Sequence, residues 1–406
     1  MMIKNTSTRN LKLAFFFDEL APGSAPKLIG WPVRRLSEIG VDAEAVVIIE
    51  KDHWKKHKEH YDSHLAGVKV RYLFPKFPKF LQKMNFKFPG MSFFSLHHIA
   101  SWLFAHRAVD FREFDIVVAN CQYSAFAARN TLRLRDIPFL QLIWDPATFT
   151  AEKIYKKRMG WKYPFLYLAA KVLDRFAFQK CRAVITSGEF HHKHVRGITD
   201  KPFEILYPGC FVREDLPAFS SRERMIVTYD RWDIGNIPVI FLDMLEQLDH
   251  KDVSLTIGGF WHPESLREEF TQEIEKRGLQ SRVHLRGSLN EKDIMELCSR
   301  AMVHVHPVHE AFGMQTLEAA GCGCPGIIPA GSGAAELFEH GKSGFHPPIG
   351  DLKSMVGCIN TIFSDPKLAE KMSRAAFEAA KKHTWLEYAK KLKTICRKYS
   401  LKTNGK

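Results

Sequence analysis

The sequence predicts an α/β protein of two domains, each built around a parallel sheet. Three observations carry this. A chain of 406 residues exceeds what one hydrophobic core usually organises. Short apolar runs bounded by Gly, Pro and polar residues alternate with helix-forming stretches along its whole length, the pattern of βαβ units. Residues 304–347 show that pattern at its most compact, as strand, loop, helix, strand and helix.

Composition bounds the class. A hydrophobic content of 45% with 26% charged residues is that of a soluble globular protein. No uninterrupted apolar run is long enough to span a bilayer. The apolar run 11–17 is short and ends at Asp18 and Glu19, so it reads as a strand and not a signal peptide, and a cytoplasmic protein is expected. The eight cysteines are scattered, and Cys322 and Cys324 have no second pair at metal-ligand spacing, so reduced thiols are expected. His304, His306 and His309 are ligand types, but no cysteine or carboxylate cluster follows them and no metal is expected. Charge is divided unevenly. Residues 1–206 hold 33 Lys and Arg against 19 Asp and Glu, whereas residues 207–406 hold 26 of each. Something anionic is therefore expected to meet the first half.

Taken in order, residues 11–17 form the first strand. A loop with Pro22, Gly23, Ser24 and Ala25 leads into a helix over 27–39, and a strand–loop–helix opening is a common ligand crevice. Residues 43–49 are the second strand. Residues 51–107 carry eleven Lys and Arg against three acidic residues, and 72–81 interleave aromatics, prolines and lysines. Prolines at that density forbid a continuous helix. Aromatics mixed with lysines suit a membrane interface, and equally a solvated loop whose rings pack on the domain. Residues 114–119 and 139–143 are buried strands, the second ended by Trp144, Asp145 and Pro146. Residues 153–182 carry nine Lys and Arg against Asp174 alone, around an apolar helical run at 163–178. This run reads either as a basic amphipathic helix lying on a membrane or as a packed helix with a basic outer face. A strand at 182–186 precedes Ser187-Gly188-Glu189, which opens the next helix, and the domain boundary falls within 207–222.

The second domain starts with a strand at 225–229, followed by a loop at 230–236. Strands at 253–257 and 283–285 are closed by turns at Gly258, Gly259 and Gly287. In 304–347, Val303 and Val305 alternate with His304 and His306, the period of a half-buried strand. The helix 314–320 begins at Gly313 and is ended by Gly321, Gly323 and Pro325. Its first N–H groups and positive dipole end suit an anion such as phosphate, and Gly313 lets a ligand approach the backbone. Glu310 and Glu318 stand eight positions apart, roughly 12 Å along a helix. That is too far for a catalytic dyad, but it suits two hydroxyl-bearing ends of one long ligand. Residues 324–328 form a buried strand, and Ser332 caps a second helix containing 334–338. Helices at 365–382 and 384–399 and a polar tail end the chain.

His309-Glu310-Ala311-Phe312-Gly313-Met314, then Leu317-Glu318-Ala319-Ala320 and Gly323-Cys324-Pro325, resemble the E-x7-E motif of retaining glycosyltransferases of family 4. Residues 331–337 and Gly341-Lys342-Ser343-Gly344-Phe345 continue the resemblance, which is firm over 207–385 and thin before it. It implies the GT-B fold, two Rossmann-like domains facing across a cleft: an acceptor-binding domain at 1–206, a nucleotide-sugar-binding domain at 207–383, and a last helix at 384–406 crossing back to the first domain. It implies transfer of a sugar from a nucleotide sugar to a glycan or lipid-linked acceptor, with no metal and no cofactor beyond the donor. The basic half suits a soluble acidic acceptor or an anionic membrane surface, the mixing of lysines with phenylalanines at 74–88 favouring the membrane, and nucleic acid is an unexpected partner. Carried over, Glu310 holds the donor sugar, Glu318 the ribose and Arg231 the diphosphate, and the backbone N–H groups of Phe312, Gly313 and Met314 stabilise the leaving group. Three positions depart from the family. The glycine-rich loop keeps only Gly23, Trp144 replaces a histidine and leaves Asp145 as the polar group beside the sugar, and Asn236 stands where a lysine helps bind the diphosphate. These departures also fit a protein that binds a sugar nucleotide or a partner without turnover.

Overall fold

The computed structural model describes residues 10–19, 25–49, 64–73, 87–88, 91–95, 103, 109–122, 124–125, 137–233, 238–307 and 312–400. The chain divides into two compact units, residues 1–207 with 385–406, and residues 208–384.

In the first unit, the described strands are β1 (Lys12–Glu19), β2 (Asp42–Ile49), β3 (Val70–Tyr72), a short antiparallel pair β4 (Lys87–Phe88) and β5 (Met91–Ser95), β6 (Ile116–Asn120), β7 (Phe139–Ile143), β8 (Ala183–Thr186) and β9 (Phe203–Ile205). Seven of them form one parallel sheet in the order β3-β2-β1-β6-β7-β8-β9. The interior strands β6, β7 and β8 are buried at every residue, which is why apolar residues dominate them. Phe16 on β1 meets Phe111 edge to face at 5.3 Å, and both are fully buried. The longer described helices before residue 208 are α1 (Ala25–Glu38), α2 (Tyr163–Phe178) and α3 (Glu189–Arg196), and short helical turns run through 147–162 ahead of α2.

The second unit holds β10 (Glu223–Asp233), β11 (Ser254–His262), β12 (Val283–Leu285), β13 (Ala301–Val305), β14 (Gly326–Ile327) and β15 (Gly344–Phe345), parallel in the order β12-β11-β10-β13-β14-β15. Its described helices are α4 (Val239–Gln247), α5 (Ser265–Lys276), α6 (Glu291–Arg300), α7 (Met314–Ala320), α8 (Leu352–Ser364) and α9 (Pro366–Ala380). Then α10 (Trp385–Tyr399) packs in the first unit, where Lys393 donates to the carbonyl of Ile39 and both Lys398 and Tyr399 reach Glu204.

Four local expectations need correction. The strand at 225–229 is longer and runs to Asp233, so Arg231 lies on a strand rather than in a loop. Gly258 and Gly259 are likewise inside β11 and make no turn there. The cause is cross-strand pairing: Trp232 and Trp261 are opposite one another, buried, with rings 5.9 Å apart, and their burial carries both strands past the point where local signals end them. A Cβ on Gly259 would stand 1.9 Å from the carbonyl oxygen of Asp230, so only glycine fits this approach. The histidine-bearing strand is buried on both faces, since β13 lies between β10 and β14 under helices. Last, residues Gly333–Leu337 form a 3₁₀ turn that Ser332 does not cap, because the run is only five residues long and Phe338 is already extended.

Candidate functional site

The sequence-derived candidates divide between the two units. In the second, α7 starts at Met314, and Gly313 before it is left-handed with φ of 85°, a conformation that glycine adopts without strain. Phe312 is buried, and its carbonyl accepts from the N–H of Ala334 at 2.6 Å, tying the loop to the 3₁₀ turn. Met314 and Glu318 are half-buried. Arg231 is exposed near the C-terminal end of β10. Gly23, Asn236, Glu310, His309 and the aromatic–lysine stretch from 74 to 86 lie outside the described residues.

The residue that sequence reasoning passed over is Tyr229. It is buried on β10, and its hydroxyl lies 3.1 Å from both Glu318 Oε2 and the carbonyl oxygen of Gln315, so it holds Glu318 from beneath. Burial, with Cys298 and Glu318 nearby, raises the phenol well above its usual pKa, so it remains a neutral donor. Alternation along β10 puts Arg231 on the same sheet face as Tyr229. The available signal was a tyrosine two positions before the candidate arginine, but nothing local paired it with a glutamate 89 residues away.

Behind Tyr229, the ring of His304 lies 5.7 Å away and is stacked on His306. His304 is fully buried, and neither ring nitrogen has a hydrogen-bond partner among the described residues. Burial, reinforced by His306, pushes its pKa down to about 3 from the ordinary 6.5. It therefore sits neutral in the fold at every physiological pH. Below pH 6.5 the unfolded chain takes up a proton here that the folded chain excludes until about pH 3, so stability falls with pH across that window. At pH 5 the loss is about 2 kcal/mol relative to neutrality. Urea unfolding at pH 7 and pH 5 checks this, and His304→Leu should remove that part of the difference. An unchanged pH dependence in the variant refutes the assignment.

In the first unit, polar groups collect at the C-terminal ends of the adjacent strands β6, β7 and β8, the edge where open α/β sheets bind ligands. Asp145 follows β7, its side chain about half exposed. Its backbone carbonyl accepts from Gln122 Nε2 at 2.8 Å. His191 on α3 is buried, with Nδ1 3.1 Å from Ser187 Oγ and Nε2 3.9 Å from Asp145 Oδ1. Ser187 is buried too, so these three do not make a hydrolytic triad, which needs an accessible serine. Trp144 turns its indole N–H to Asn120 Oδ1 at 2.6 Å. Cys121, just after β6, has φ of 64°, an uncommon backbone for a side-chain-bearing residue, and Gln141 Nε2 secures the turn through the carbonyls of Ala119 and Cys121. Among the described residues, no group of three or more His, Cys, Asp or Glu side chains could hold a metal.

Comparison with known proteins bears on both units. Residues 218–379 match the family model described as Glycosyl transferases group 1. A stretch of 96 residues is 35% identical to sucrose synthase 1 of Tulipa gesneriana, covering 22% of this chain and 12% of that protein. The chain thus spans about an eighth of the length of the curated relatives it matches. Among solved structures, Anabaena Alr3699/HepE in complex with UDP and glucose superposes with a TM-score of 0.71 at 17% identity, covering 96% of this chain and all of that one. TarM of S. aureus, in a structure that includes UDP, gives 0.73 at 12% identity over 95% and 99% of the two chains. These likenesses establish the fold as GT-B, with a Rossmann-like parallel sheet in each unit.

Proposed function

We propose that the chain is a group 1 glycosyltransferase that moves a sugar from a nucleotide-sugar donor to a glycan or lipid-linked acceptor, retaining the anomeric configuration, in the building of a cell-surface polysaccharide or glycolipid. One observation carries the reading: within the segment matching group 1 glycosyltransferases, Glu318 is fixed by the buried donor Tyr229, on the sheet face that also bears Arg231. A preset carboxylate is what two vicinal ribose hydroxyls require, and an exposed guanidinium two positions along β10 from Tyr229 suits a diphosphate. Structures similar to this one are complexes with UDP, which makes UDP the first nucleotide to test.

In this reading Glu318 takes the ribose, Arg231 the diphosphate, and the backbone N–H groups of Phe312, Gly313 and Met314 the charge that grows on the leaving phosphate. Asn236 adds a neutral hydrogen bond to the diphosphate, Gly23 lets it pass close to the backbone, and Glu310 and Asp145 attend the transferred sugar. The reading takes a front-face displacement, in which the bond from the sugar to the diphosphate breaks on the same face as the acceptor oxygen attacks and the leaving phosphate oxygen takes the acceptor proton. Calorimetry with UDP and other nucleoside diphosphates tests donor binding, and hydrolysis of the matching nucleotide sugar tests turnover. If no nucleoside diphosphate binds the folded chain, the proposal fails. Trp144 favours a second reading: its indole is engaged with Asn120, where the resembled family has a histidine. Donor binding with no hydrolysis and no transfer would select a binding protein over an enzyme.

Tyr229→Phe isolates the support beneath Glu318. It removes one neutral hydroxyl and leaves the ring packed, so UDP affinity should fall by up to about tenfold, the scale of one lost hydrogen bond. Calorimetry reads the change. An unaltered affinity would show that Glu318 needs no support from below.

A further inference from the structure

The exposed large apolar side chains are not spread over the described surface. Two of them, Leu103 and Ile349, belong to other segments of the chain, while Trp161, Phe165, Leu168 and Val172, between 58% and 78% exposed, belong to α2 and the turn that opens it. Their spacing puts them along one helix face, with about 10 Å from Phe165 to Val172. The opposite face is the one that holds the helix down. Leu166, Ala170, Ala177 and Phe178 are buried there, with Asp174 among them. The carboxylate of Asp174 accepts from the N–H groups of Ala147 and Thr148, the hydroxyl of Thr148 and the amide of Gln122. The helix is thus anchored on one side, and the apolar stripe on its other side is not used by that anchorage.

Charge indicates what covers the stripe. Lys162, Lys171, Arg175 and Lys180 are exposed along the same segment, and its one acid between 153 and 182, Asp174, is buried. Lys162 lies over the ring of Trp161, 5.7 Å from its centre. The tryptophan stands at the helix entrance, the apolar residues follow, and cations are the exposed charges around them. That is the make-up of a surface helix that sinks its apolar side into the boundary of an anionic bilayer while its cations meet headgroups. No described helix is long and apolar enough to cross a membrane, so contact through this face is peripheral.

We propose that α2, through Trp161, Phe165, Leu168 and Val172, docks this chain on an anionic lipid surface. The inference rests on the transferase reading only for its purpose, which is to bring the first unit to a lipid-linked acceptor. The test is co-sedimentation of the full chain with vesicles of phosphatidylcholine, with and without phosphatidylglycerol. The wild type should sediment with the anionic vesicles at low salt and less so at high salt. Phe165→Ser with Leu168→Ser should cut binding about a hundredfold or more, since each loses about a factor of ten or more in apolar transfer. Lys171→Glu with Arg175→Glu should cut it at low salt. Both pairs are exposed, so circular dichroism and UDP calorimetry should match the wild type, and a failure of UDP binding speaks against the transferase reading instead. Absence of binding to anionic vesicles at low salt, or binding indifferent to the Phe165 and Leu168 changes, overturns the proposal. So does self-association of the free chain that the same pair abolishes when no vesicle binding is seen, since the stripe would then be a protein contact.

Discussion

Replacing Glu318 by alanine should lower affinity for a nucleoside diphosphate by about 10- to 150-fold, the effect of losing a charged hydrogen-bond acceptor worth about 1.5–3 kcal/mol. The expectation comes from how the carboxylate is held. Glu318 is half-buried on α7, and Tyr229 meets its Oε2 from the buried side. One oxygen is therefore oriented before any ligand arrives, and little side-chain freedom remains to be lost on binding. A carboxylate has several acceptor sites, so engagement with one phenol leaves capacity for ribose hydroxyls. Glu318→Gln keeps the shape and an acceptor for Tyr229 but removes the charge, and it should retain part of the affinity. Calorimetry with UDP measures both variants, and an unfolding curve shows whether the fold survives. Wild-type affinity in a folded Glu318→Ala protein would remove the donor role from this residue and leave the group 1 match as a fold-level likeness.

The second large effect concerns stability. Arg222, just before β10, is buried, and its guanidinium donates to the carbonyls of Cys298 and Ala301 at the end of α6 and to that of Cys322 after α7. Burial lowers its pKa from the ordinary value. One side chain thus ties together two helix ends whose last carbonyls have no partner within their own helices. Arg222→Met keeps much of the apolar stem but leaves these carbonyls buried without donors. At about 1–3 kcal/mol for each unmet group, partly relieved by relaxation, the net loss should be about 3–5 kcal/mol. Urea unfolding of the full chain reports it in the transition of the second unit. Because the same contact holds the end of α7, UDP affinity should fall too if the variant remains folded. A loss below about 1 kcal/mol would mean that water replaces the guanidinium at these carbonyls.

These two residues differ in how legible they were. Glu318 stood out because glycine, helix-forming residues and a second glutamate eight places earlier make a local pattern, and local patterns survive in a sequence read by itself. The same holds for the two α/β units, for α7 beginning at Met314, and for the apolar run that becomes α2. Each depends on periodicity and on breakers within a few residues of each other. Gly23, Asn236 and Glu310 are likewise legible from loop motifs and lie outside the described residues.

Tertiary structure alone decided the rest. Arg222 gave no signal, because its three acceptors lie 76, 79 and 100 residues away. Tyr229 reads in sequence as one more strand aromatic, and only the packing of α7 beside β10 makes it the support of Glu318. The true ends of β10 and β11 follow from Trp232 meeting Trp261, a pairing that no local breaker rule contains. For α2 the apolar run was plain, but it left open whether the helix lies on a membrane or packs on the domain with a basic outer face. The hydrogen bonds of Asp174 settled which face packs inward, and so which apolar side chains stay outside. The sequence by itself determined what is set by neighbours along the chain, namely element type, approximate position and charge balance. Partners brought together by burial determined the remainder, because a buried polar group must find its hydrogen bond wherever the fold supplies one, at whatever separation along the chain.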